Sequence, residues 1–145
     1  MRILLANDHG AVDLKRRVTA YLASKGHEIK DLGVMNPEES VDYPDKGEEA
    51  AKLFMAGGYD LGIVFCGTGI GISIAANKVK GIRCALVHDL FTAEMAKAHN
   101  NANFLAFGGR VKYPVPVEDM IDKFLQTEFL GGRHARRVDK LDALC

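Results

Sequence analysis

Leu61-Gly62-Ile63-Val64-Phe65-Cys66-Gly67-Thr68-Gly69-Ile70-Gly71 decides the architecture. From Leu61 to Phe65 no polar side chain interrupts the run, as in a strand buried on both faces. Cys66 ends that strand, three alternate glycines make a turn, and helical spacing starts near Ile70. A buried strand that passes through a glycine-rich turn into a helix is the beginning of a βαβ unit, and such units build parallel sheets.

The same alternation recurs on both sides. Arg2 to Ala6, Glu28 to Asp31, Arg83 to Val87 and Phe104 to Phe107 read as further short strands. Leu14, Val18, Tyr21 and Leu22 mark one face of a first helix, and Ala50, Ala51 and Phe54 mark part of a second. Gly26 and Gly57-Gly58 stop these helices. A later helix, ending at His99-Asn100-Asn101, is expected to turn Phe91 and Met95 to the core. Beyond Phe107, Met120, Ile121, Phe124 and Leu125 line a helical stretch introduced by Pro114 and Pro116. His134, Val138, Leu141 and Cys145 line the last one. The expected fold is α/β, a Rossmann-like three-layer sandwich with a five-stranded parallel sheet and a C-terminal helix, forming one domain over residues 1–145.

Lysine plus arginine number 19 and aspartate plus glutamate number 19, so no net field draws the chain to nucleic acid or to a membrane surface. The opening residues turn polar at Asn7-Asp8, too soon for a secretory signal, and a cytoplasmic protein is expected. The longest apolar tract, Leu61 to Ala76, is broken by glycines, Thr68 and Ser73 and falls short of the ~20 residues that span a bilayer. Cys66, Cys84 and Cys145 are an odd number without close pairing, which suits reduced thiols. Their spacing matches no structural zinc site, and no metal is expected.

In a sheet of this kind ligands bind beyond the carboxyl ends of the strands, near a topological switch point. Asn7-Asp8-His9-Gly10, the loop from Cys66 to Gly71, His88-Asp89 and Gly108-Gly109-Arg110 follow successive strands and should converge on one edge. Alternate glycines at 67, 69 and 71 let backbone N–H groups point into one concavity, where the helix dipole also favours an anion. Close helix packing is the other use of such a turn. The dinucleotide fingerprint fails because Ile72 stands where glycine or alanine is required. Cys66, facing a helix N-terminus, is either a thiolate base or nucleophile, or a small buried hydrophobe. His99, in a last helical turn, is either a functional group or a partner of the dipole. Arg133 and Arg137 lie one turn apart behind Gly131-Gly132, as a solvated basic face or as a bidentate phosphate clamp.

Asn7-Asp8-His9, Asp42-Tyr43-Pro44, Cys66 to Gly71, Ala75-Ala76-Asn77-Lys78, His99-Asn100, Phe107-Gly108-Gly109-Arg110 and Gly132-Arg133-His134 occur in that order, and as a set they resemble the type B ribose-5-phosphate isomerases over essentially the whole chain. The resemblance implies aldose-ketose isomerisation through a cis-enediolate, with Cys66 abstracting the C2 proton. It implies that Gly67, Thr68, Gly69, Ile70 and Gly71 stabilise the enediolate and that His99 assists ring opening. Asn100 and Asp8 would contact sugar oxygens, His9, Arg110, Arg133 and Arg137 would surround the phosphate, and Tyr43 would line the pocket. A branch of the family that uses a carboxylate base would carry it at Ile72, so the chain falls in the cysteine branch. Galactose-6-phosphate isomerase subunits share several of these segments, and a six-carbon phosphate or a non-catalytic phosphosugar site stays open as an alternative. No cofactor is implied, and a homodimer or homotetramer with shared sites is.

Overall fold

A computed structural model describes all 145 residues. In chain order they form β1 (Arg2–Asn7), a 3-10 turn (His9–Ala11), α1 (Val12–Ser24), β2 (Glu28–Asp31), α2 (Tyr43–Met55), β3 (Leu61–Cys66), α3 (Ile70–Asn77), β4 (Cys84–Leu86), α4 (Leu90–Ala98), β5 (Phe104–Gly108), α5 (Val117–Gln126) and α6 (Arg133–Asp142). All strand pairs are parallel, in the order β2-β1-β3-β5-β4. The chain leaves β1 toward β2 and then returns to the other side with β3, which makes the carboxyl ends of β1 and β3 the switch point.

Strand alternation divides the core in two. Ile3, Leu5, Ile63, Phe65, Leu105 and Phe107 face α1, α4 and α5, whereas Leu4, Ala6, Val64, Cys66, Phe104 and Ala106 face α2 and α3. Each fully buried Ile, Leu or Phe contributes about 1.5–3 kcal/mol by leaving water. Gly62 is glycine because the Phe104 ring lies over it: a Cβ there would fall 2.3 Å from the ring. Gly47 similarly lets α2 close on α3, where a Cβ would meet Ala75 at 2.9 Å. Lys15 is buried on α1 and pairs with Asp31 at 2.5 Å, tying the helix to the end of β2.

Three expectations are corrected. β4 is shorter than Arg83 to Val87, because the Arg83 N–H donates to the Asn103 side chain instead of a ladder. Phe91 is 67 % exposed; Asp89 caps α4 and sets its rotation so that Ala93 and Ala96 face the core. On α6 only His134 and Val138 are buried, Leu141 is 45 % exposed, and Cys145 lies beyond the helix end at Asp142. No helix is long and apolar enough to cross a membrane.

Candidate active site

β3 delivers Cys66, only 4 % exposed, to the carboxyl edge of the sheet. Gly69 follows with φ +80°, a left-handed conformation that a side chain would strain, and starts α3. Its N–H donates to Cys66 Sγ at 3.1 Å, and the Ile70 N–H donates to Thr68 Oγ1 at 3.2 Å. The N–H groups of Gly67 and Thr68 find no acceptor in the chain. The sulfur thus sits at the N-terminal end of α3 in contact with a backbone donor.

Around it lies an open hollow of about 420 Å³ lined by Asp8, Tyr43, Cys66, Gly67, Thr68, Ile70, Gly71, Ile74 and Arg110. The glycines admit their neighbours. The Arg110 guanidinium lies over Gly67, where a Cβ would be 2.8 Å from it, and the Tyr43 ring covers Gly71. Asp8 is held by the Gly10 N–H at 2.8 Å, and Gly10 itself packs on the Gly67 backbone. His9 is not in the lining; its Nδ1 accepts from the Val41 N–H at 3.2 Å.

The other expected site residues are elsewhere. α4 runs back along the sheet, so His99 and Asn100 emerge at the amino edge, shortly before β5 begins at Phe104. Cys66 is level with Gly108 at the far end of β5, a separation of roughly 13–16 Å along the strand. His99 stacks on His134, with ring centroids 4.1 Å apart and 12° between planes. Desolvation, then His99, Arg133 and Arg137, hold the His134 pKa below its ordinary value. α6 is fastened to this edge by the Leu130 N–H to Ala98 O at 3.0 Å and by Arg83 to both oxygens of Asp142 at 3.0 and 3.1 Å. Asn100 lines a separate cavity of about 460 Å³ with Asn77, Arg83, Cys84 and Asp142. Desolvation raises the Cys84 thiol, so it stays protonated.

His134, read from its spacing as a core residue, is the partner of His99, a relation that the adjacent Arg133 and Arg137 signal only weakly. Asn7, named in the edge sequence Asn7-Asp8-His9-Gly10 without a role of its own, takes a structural one. Fully buried, it donates to Asp8 O at 2.8 Å and Val34 O at 3.2 Å and so fixes the backbone beside Asp8.

A glycine turn with two free N–H groups follows a cysteine at the switch point, without the nucleotide fingerprint. The chain belongs to the ribose/galactose isomerase family, whose model matches residues 3–141. It superposes on ribose-5-phosphate isomerase B of Clostridium thermocellum with a TM-score of 0.93 at 48% identity, covering 98% of this chain and 95% of that one. The Thermotoga maritima ribose 5-phosphate isomerase gives 0.93 at 45% identity, covering 99% and 98%. Galactose-6-phosphate isomerase subunit LacB of Clostridium acetobutylicum is 45% identical over 140 residues, 97% of this chain and 80% of that protein.

Proposed function

We propose that the chain interconverts ribose 5-phosphate and ribulose 5-phosphate, with Cys66 as the base. The observation that carries this reading is the Gly69 N–H donated to Cys66 Sγ at the mouth of the hollow. Cys66 takes the proton from C2 and the electrons move onto O1 to give the cis-enediolate; the O2 hydroxyl proton then passes to O1, and Sγ returns its proton to C1 as the C2 carbonyl forms. Such a base gains most when it is held near the reacting carbon and close to neutrality. As Sγ accepts the proton its charge passes to the substrate, and the Gly69 N–H, with those of Gly67 and Thr68, can follow it to the enediolate oxygen. Asp8 and Asn100 orient sugar hydroxyls, Tyr43 walls the pocket, and His9, Arg110, Arg133 and Arg137 bind the phosphate. That remote anchor aligns C1 and C2 with the base.

Because His99, Asn100, Arg133 and Arg137 lie far from Cys66 in one chain, the site is completed by a second copy, as a homodimer or within a homotetramer. The exposed apolar side chains Ile70 and Ile74 beside the hollow support an approach there. His99 of that copy would serve the opening of the furanose ring. The test is turnover across a panel of five- and six-carbon sugar phosphates. Preference for ribose 5-phosphate supports the reading, and preference for a six-carbon phosphate replaces it with the alternative that the LacB likeness favours. Absence of turnover on every sugar phosphate that binds would leave a non-catalytic module.

A further inference from the structure

Tyr113 lies on the loop that leaves β5. Its ring stands edge-on to Phe107, 6.1 Å between centroids at 80°, and its hydroxyl accepts the Gly108 N–H at 2.7 Å. Past the end of β4 at Leu86 the Val87 N–H still donates to Ala106 O at 3.4 Å, but the Gly108 N–H goes to Tyr113 and to no backbone acceptor. The Phe107–Gly108 peptide is the floor of the cysteine loop. A Cβ on Gly69 would fall 2.8 Å from the Phe107 carbonyl carbon and 3.1 Å from the Gly108 nitrogen. A Cβ on Gly108 would fall 2.6 Å from the Thr68 carbonyl carbon. From Gly109 a further N–H donates to Cys66 O at 2.8 Å.

We propose that Tyr113 is a positioning residue for Cys66: its hydroxyl fixes the peptide on which Thr68 and Gly69 rest, and thereby keeps the Gly69 N–H on the sulfur. The inference rests on the reading of Cys66 as the base. Burial raises the Tyr113 phenol above its ordinary value, the Gly108 N–H lowers it, and the Cys66 charge raises it again. The hydroxyl therefore remains protonated while the cysteine works, and it accepts from Gly108 without bringing a charge to the site.

The experiment compares Tyr113→Phe and Tyr113→Leu with the unaltered protein. Two quantities are read: steady-state kinetics on ribose 5-phosphate, and the rate of iodoacetamide alkylation at Cys66, followed by mass spectrometry of its peptide. Tyr113→Phe keeps the ring and loses only the acceptor, so kcat should fall about tenfold with KM nearly unchanged, since small displacements of reacting groups cost that much or more. Alkylation of Cys66 should slow as well, because the thiolate loses its fixed donor. If the ring matters only as core, the Phe variant will match the unaltered protein and only the Leu variant will fail, which overturns the proposal. Faster alkylation in Tyr113→Phe would mean that the hydroxyl merely closes the structure over a buried sulfur, and this also overturns it. Cys66→Ala separates the two readings. Full activity in Cys66→Ala removes Cys66 as base, whereas the alkylation rate in Tyr113→Phe still tests the positioning by itself. Should the Phe variant unfold, 3-fluorotyrosine at position 113, which retains the hydroxyl and weakens it as an acceptor, must slow alkylation in the same direction or the proposal fails.

Discussion

At the carboxyl edge of the sheet the main chain makes the site: glycines at 67, 69 and 71 let loops touch, and backbone N–H groups meet Cys66 and Thr68. At the amino edge long side chains are presented instead, with His99, just past α4, stacked on His134 of α6 and Arg133 and Arg137 exposed beside them. The first kind of site is set by strand register and is already organised in one chain. The second is only as well placed as α6, which is held by burial of His134 and Val138, the Arg83–Asp142 ion pair and the backbone bond from Leu130 to Ala98. The two edges should therefore respond differently to mutation, with chemistry failing at one and binding at the other.

The largest effect is expected at the carboxyl edge. Cys66→Ala should lower kcat about a hundredfold to ten-thousandfold, the range of a general base, while thermal unfolding stays close to that of the unaltered protein. Near-normal turnover would move the base elsewhere. Mixing Cys66→Ala with His99→Ala subunits sharpens the contrast: hybrids should regain activity that neither parent has, since one site of each hybrid dimer then has both groups. Proven subunit exchange without recovery would show that the two edges do not meet.

Smaller losses are expected from the amino edge. Arg133→Ala or Arg137→Ala should lower kcat/KM for a phosphorylated sugar about tenfold to a hundredfold, as a charge-assisted hydrogen bond worth about 1.5–3 kcal/mol is lost. Lysine should restore this only partly, because it lacks the planar fork. Any slow turnover of free ribose should be untouched, and equal losses on both sugars would assign these arginines to the fold instead.

The smallest effect concerns acid. His134 has a folded pKa below its ordinary 6.5, so the unfolded chain takes up the proton first. Its contribution to stability is present above 6.5 and is lost as pH falls toward the folded value. His99, Arg133 and Arg137 all face the ring and disfavour its charge. Melting temperatures measured on both sides of that pH should drop less on acidification in His134→Gln than in the unaltered protein. An identical acid slope would mean that another group titrates.

Most of the fold was legible because β1, β3 and β5 are buried on both faces and so carry continuous apolar runs, which few helices of that length do. The cysteine loop was legible for the same reason, since the turn follows an unmistakable strand. β4 was harder to bound: at its start an Asn103 side chain takes over the role of a ladder partner. That β5 inserts between β3 and β4 leaves no mark in either strand, as both neighbours demand the same apolar surface. Phe91 misled because its spacing suits a buried stripe, while the rotation of α4 is set by the reciprocal bonds of Asp89 and Thr92. His134 stacks on His99 of a segment distant in the chain, and the role proposed for Tyr113 passes through neighbouring Gly108 to the distant Thr68 and Gly69, so a local pattern carries no trace of either.

The resting loop occupies two of its donors, at Gly69 and Ile70, and leaves two free, at Gly67 and Thr68. With Gly69 bonded to Cys66 and Ile70 to Thr68, a free inorganic anion that enters the hollow must compete for those two donors with acceptors tethered at high effective concentration. If Cys66 is the base, an enediolate formed in place would meet no such competitor at Gly69, because the sulfur that held this donor would just have been neutralised by the substrate's own proton. On the reading of Cys66 as the base, the Gly69 donor would thus be reserved for a charge that exists only during the reaction, while Gly67 and Thr68 stay open to any anion.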